Sequence, residues 1–371
     1  MVKFIGNDLI ANGPDPLTGR TPGETERFRE LIENAVLYEQ LGFDGFSVGE
    51  RHHHPFLSSA PPVVLSHIAA KTSRIRLFTG VTLLSALDPV RVAEDYATLD
   101  HLSGGRVELV IGKGNGPDQI ELFGVPREQA WITLDENYRL LRRLWTEEKV
   151  SWEPPADKPT IRRVPLTEVT TRPRPLQSPP RVWHGSATNE GSVELAAEFG
   201  DPVFSANVSN AVDRYAELIR HYRKHWADLG RDPADAVVGA GTAGLYAARN
   251  SQDAVAAFRP IYEGMAAMLA RSNFSLPGTS TIWDSYEVFL ERSSALVGSP
   301  QQIVDKVHRY YDALGQTVMT VGGHQRGLTH TQFVGSLELF QSDIAPVLRR
   351  SIPDPPWPEP TITTWRNESG R

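Results

Sequence analysis

Residues 73–116, SRIRLFTGVTLLSALDPVRVAEDYATLDHLSGGRVELVIGKGNG, hold one full repeat of this chain's organisation. Ile75 to Val81 reads as a short strand, Asp88 and Pro89 open a helix that runs to Leu102, Gly104 and Gly105 stop it, and Arg106 to Ile111 reads as a second strand. Strand, helix and strand joined by short links make a βαβ unit, the building block of a parallel sheet. The same pattern continues outward. Further strands are predicted at Lys3 to Ile10, Gly45 to Val48, Arg181 to His184, Pro202 to Ala206, Ala236 to Tyr246 and Thr317 to Val321. Helical patterns follow them, among them Thr25 to Leu41, Asp135 to Trp145, Ser192 to Phe199, Ala211 to Leu229 and Pro300 to Leu314. Eight βα units suit an α/β (β/α)8 TIM-type barrel, because closure leaves no edge strand exposed.

That reading gives one barrel domain over residues 1–350. Two stretches break the repeat and are expected to be insertions, the Pro-rich 152–180 and the span 256–296, with extra helix around Arg259 to Leu276. The proline-rich end, 351–371, is expected to run as an extended arm.

Composition narrows the chemistry. The 371 residues are 40% hydrophobic and 22% charged, an ordinary globular balance. Lys and Arg number 38 against 45 Asp and Glu, a net charge of −7 with no basic patch, which argues against a nucleic-acid partner. No apolar run is long enough to span a membrane, and Asn7 and Asp8 interrupt the start where a signal peptide needs apolar residues, so a cytoplasmic location is expected. There is no cysteine, which excludes disulfides, thiolate catalysis and Cys-ligated metal. Catalysis therefore falls to His, carboxylates, Tyr, Lys, Arg or a bound cofactor.

In a barrel the active site lies at the C-terminal ends of the strands. Four segments there carry chemistry: GERHHHPF (49–56), GVTLLSALDP (80–89), GKGNGPDQ (112–119) and HGSATNEGS (184–192). GKGNG brings backbone N–H groups and the cation Lys113 to one loop, while Thr188 to Ser192 places hydroxyls and N–H groups at a helix start; together they form a candidate phosphate cradle. His52, His53 and His54 follow Glu50, but adjacent side chains of an extended segment point to opposite sides, so at most two of the three can face one pocket, and the HExxH spacing is absent, so no metal site is expected. The cluster reads either as acid/base residues or as a surface histidine run. VVGAGTAGLYAA (237–248) has the GxGxxG spacing of a dinucleotide fingerprint at Gly239, Gly241 and Gly244, yet Asn250, Ser251 and Asp253 signal a fresh helix cap where a fingerprint needs a continuing helix. The barrel reading puts Leu245 to Ala248 in strand seven instead.

The strings LGFDGFSVGERHH, APPVVLSHIAAKTSRIRLFTGVTLL, DPVRVAEDYATLDHLSGGRVELVIGKGNG and LFG resemble the bacterial luciferase-like flavin monooxygenases from about Leu41 to Trp145, and the resemblance resumes in Val182 to Asp201 and Val297 to Val307. It implies a (β/α)8 barrel that binds FMN, supplied in reduced form by a flavin reductase, or in some branches a deazaflavin, and that acts on a small organic substrate, commonly as a homodimer. It implies acid/base roles around Glu50, His52 and His53, with Arg51 standing where the family usually has its first His. It places the flavin ring over Gly80, Val81 and Thr82, with a non-proline cis peptide or bulge at that point. It places the phosphate at Lys113, Gly114 and Asn115 and at Gly185, Ser186, Thr188, Asn189, Gly191 and Ser192. Tyr138 matches a helix position that reaches the flavin in several relatives and also reads as core; His184, expected to point near the flavin from the end of strand five, and Asn207 and His324, which close strands six and eight, are weaker candidates that each read first as satisfied polar residues and only second as catalysts. Hydride transfer with a deazaflavin or NAD(P)H, and flavin binding without catalysis, are the competing functions.

Overall fold

The computed structural model describes residues 1–114, 116–208, 210–271, 281–322 and 326–355. Asn115, His324 and most of the expected C-terminal arm therefore lie outside the described residues. Among the described residues there are twelve strands: β1 Lys3–Asp8, β2 Gly45–Val48, β3 Arg76–Thr79, β4 Val107–Ile111, β5 Val150–Trp152, β6 Leu166–Val169, β7 Arg181–Ser186, β8 Val203–Ser205, β9 Val238–Ala240, β10 Leu245–Ala247, β11 Leu296–Gly298 and β12 Val318–Thr320. Eight of them close into a parallel barrel in the order β1-β12-β9-β8-β7-β4-β3-β2. Each of the eight predicted strands contributes one.

Local signals set the helices between them. Asp88 accepts the Val90 N–H (2.8 Å), Pro89 occupies the first turn, and Gly104 in the left-handed region ends the helix Pro89–Ser103. Asn189 caps Glu190–Phe199 in the same way, and Ser299 with Gln302 forms a capping box at the start of Pro300–Leu314. Among the described residues no helix is long and apolar enough to cross a membrane.

The seventh strand differs from the expectation. Only Val238–Ala240 joins the barrel, whereas Leu245–Ala247 pairs with Leu296–Gly298 in a separate two-stranded sheet. The chain leaves the barrel at Thr242, whose N–H and hydroxyl are both tied to Thr320 (2.9 Å each), and it turns at Gly244, where φ is 139°. The helix that follows starts only at Ser251, so the glycine run opens no dinucleotide-type helix.

Side chains alternate across each strand, so the barrel interior can be read in layers. At the bottom Glu108 is fully buried, bonded to Arg76 (2.7 Å) and to the Trp183 indole N–H (2.8 Å); burial pushes its carboxyl above the usual range even with Arg181 and Arg76 close by. Ile5, Phe78, Val110, Trp183, Phe204 and Val318 fill the middle. One step further up, the same alternation gives Asn7, Ser47, Gly80, Gly112, Gly185, Ala206, Gly241 and Thr320. This top layer is small, so the barrel closes below its mouth and leaves a shallow floor there.

Candidate active site

Val81 covers part of that floor. The Gly80–Val81 peptide is cis, and the Val81 isopropyl group rests on Gly112 and Gly185, where an added Cβ would stand 2.9 and 3.0 Å from it. Thr82 is turned the other way. Its N–H donates to Val110 (2.7 Å), its carbonyl accepts from Gly112 (3.0 Å), and its hydroxyl meets the buried Tyr96 hydroxyl (2.6 Å).

Glu50, only 4% exposed, sits beside this floor. One carboxylate oxygen accepts the Leu83 N–H (2.8 Å) and the other lies 2.9 Å from His52 Nε2. A carboxylate can only accept, so Nε2 carries the proton and Nδ1 is left as the nitrogen able to take or give one. The His52 ring meets the edge of Phe123 at 4.7 Å. His53 points elsewhere: its Nδ1 is 3.0 Å from the His54 carbonyl and its ring packs on Phe56. Arg51 lies over the Phe56 ring at 5.2 Å, and burial draws its guanidinium down to about 10. Among the described residues no three His, Asp or Glu side chains converge as a metal-binding set.

β4 and β7 are neighbours, with Ile111 paired to His184, so the loops that follow them lie side by side. Lys113 Nζ donates to the Gly114 carbonyl (3.1 Å) and stands 5.7 Å from the centre of the Trp131 ring. Among the described residues it has no carboxylate partner. Burial, with repulsion from Arg127, holds its ammonium below the ordinary lysine range. Across the gap, Ser186 Oγ donates to the Asn189 carbonyl (3.2 Å), Asn189 Oδ1 accepts the Ser192 N–H (2.8 Å), and Thr188 and Gly191 are exposed. A cation without a counter-charge beside a helix entry is suited to an anion.

Comparison with known proteins settles the family. The model described as luciferase-like monooxygenase matches residues 2–317. The chain belongs to this family. It is 27% identical over 353 residues, 90% of each chain, to the 4-hydroxyprotoasukamycin monooxygenase of Streptomyces nodosus subsp. asukaensis. Among solved structures, a monooxygenase from Streptomyces bottropensis superposes with a TM-score of 0.78 at 26% identity, over 93% of this chain and 99% of that one. Two further structures share the fold: the FMN-bound oxygenating constituent of 3,6-diketocamphane monooxygenase from Pseudomonas putida (TM-score 0.73, 18% identity, 93% and 99% covered) and an F420-dependent secondary alcohol dehydrogenase with an F420–acetone adduct (0.69, 17%, 94% and 99%).

Two candidates of this luciferase-like monooxygenase lie behind the barrel wall. His184, expected near the flavin, alternates with the inward Trp183 and faces the helix Ala130–Thr146 instead; its Nε2 is 3.3 Å from Asp201, and its ring meets Tyr138 edge-on at 4.7 Å. The Tyr138 hydroxyl also donates to Asp201, and Arg142 pairs with that carboxylate at 3.2 Å. Tyr138 is thus part of the core between strand and helix. Tyr138→Phe should lower stability by about 1 kcal/mol, the usual net value of one buried hydrogen bond, and leave flavin affinity unchanged when thermal unfolding and flavin titration are compared. Asn207 is fully buried at φ 45°, its Oδ1 accepting from Ser205 (2.9 Å). Phe123 lies in the LFG string but was assigned no role there, and Trp131 was carried by no motif, though it shares the helical stripe of Leu134, Tyr138 and Leu141.

Proposed function

We propose that the protein is a two-component, FMN-dependent monooxygenase: it takes FMN reduced by a separate reductase and uses oxygen to oxidise a small organic substrate. The observation that carries this reading is Lys113, a half-buried ammonium with no carboxylate partner among the described residues, beside a mouth floored by glycine. The residues fit the cofactor: Lys113, Gly114 and the entry Gly185 to Ser192 would hold the phosphate, and Val81 would lie under the ring. When bound, the reduced flavin supplies the electrons for oxygen activation. His52 Nδ1 moves the proton at the reacting face. Glu50 holds the imidazole in one orientation and places negative charge beside it when it carries a second proton. Phe123, packed edge-on against His52 and 41% exposed, makes the rim there apolar, which favours an apolar substrate face.

A separate reductase is favoured because the one glycine pattern suggestive of a second nucleotide, Gly239 to Gly244, lies at a barrel strand with no helix opening on it. Turnover with and without oxygen tests the assignment. The isolated protein should oxidise NADPH poorly under nitrogen and should form product only with oxygen, FMN and a reductase. Rapid anaerobic oxidation of NADPH with a carbonyl acceptor would instead establish hydride transfer.

A further inference from the structure

We propose that Trp131 is a positioning residue for the anion site, its indole face holding the Lys113 ammonium at the barrel mouth without cancelling its charge. This rests on the reading of Lys113 as the phosphate-binding cation. Lysine has a flexible four-carbon stem, and this one stands between Gly112 and Gly114, the latter at φ 83°, so its own loop offers no neighbouring side chain to brace it. One N–H is taken by the Gly114 carbonyl, and the centre of the Trp131 ring lies 5.7 Å from the ammonium, within cation–π range. A carboxylate in that place would fix the stem but compete with a phosphate for the charge. An aromatic face attracts the cation through its quadrupole and leaves the charge and the remaining N–H donors available.

The ring is itself well placed to act as a fixed wall. Trp131 lies in the first turn of Ala130–Thr146, is partly buried against the main core, and lines up with the buried Leu134, Tyr138 and Leu141 on one helix face. Its position therefore follows the barrel. Arg127, in the turn Arg127–Gln129 just before the helix, adds a second positive charge near Lys113, so positive charge is concentrated there.

Dissociation constants for FMN and riboflavin, which differ by the phosphate alone, test the proposal in the full-length protein. Trp131→Leu keeps apolar packing and removes the aromatic face; it should weaken FMN about 3- to 20-fold and leave riboflavin unchanged. Trp131→Phe should keep FMN within about threefold of the wild type. In a Lys113→Ala background, Trp131→Leu should add no further loss, because the two side chains act as one unit. Equal weakening of both ligands by Trp131→Leu, no weakening, or a full additional loss in the Lys113→Ala background would each overturn the positioning role while leaving the phosphate reading intact. If Lys113→Ala itself does not change the ratio of FMN to riboflavin affinity, the phosphate reading fails and this inference fails with it.

Discussion

His52→Gln is expected to cut the product formed per reduced flavin consumed by about 100-fold, with the missing oxygen recovered as hydrogen peroxide. Glutamine keeps the approximate size and can still donate to Glu50, but it cannot carry a proton between donor and acceptor. Positioned acid/base groups contribute about 10²- to 10⁴-fold, and the lower end suits a residue whose ring is held by a single carboxylate at 2.9 Å. Glu50→Gln should reproduce most of the loss, because an amide facing the Leu83 N–H and the imidazole no longer selects one tautomer. His53→Gln should stay close to the wild type, since that ring faces the His54 carbonyl and Phe56. Peroxide and product are measured together under limiting reduced FMN. Unchanged coupling in His52→Gln would remove His52 from the chemistry.

Lys113→Ala should weaken FMN by about 1–3 kcal/mol, the range for a charge-assisted hydrogen bond, and barely affect riboflavin. The loss should carry a pH signature. Burial and Arg127 depress the Lys113 pKa in the free protein, whereas a bound phosphate favours the charged form. The preference for FMN over riboflavin is therefore full below the depressed free-protein value and declines as pH rises through it. Lys113→Ala should lack this alkaline limb. An unchanged FMN dissociation constant would take Lys113 out of the phosphate site.

The barrel was legible because its strands run into small or polar residues and several helices start at a recognisable cap, as at Asp88-Pro89 and Asn189. The break in strand seven was not, since Val237 to Ala248 carries no charged residue or proline to mark it and the turn depends on Thr242 reaching Thr320, 78 residues away. Glu50 and His52 could be nominated from GERHH, but their mutual bond and the divergence of His53 depend on how the loop folds back on Leu83 and Phe123. His184 was misplaced for a simpler reason. One residue of register decides whether a strand side chain faces the barrel interior or its helices, and Trp183 takes the interior. Trp131 escaped notice because one aromatic at helical spacing reads as core until the cation beside it is seen.

The most direct test of the account is an equilibrium titration under nitrogen with reduced FMN, reduced riboflavin and reduced F420 in turn. The account predicts that reduced FMN binds tightest, that riboflavin is weaker by the factor removed in Lys113→Ala, and that F420 is the weakest of the three. Tight binding of F420 with little affinity for FMN would contradict it.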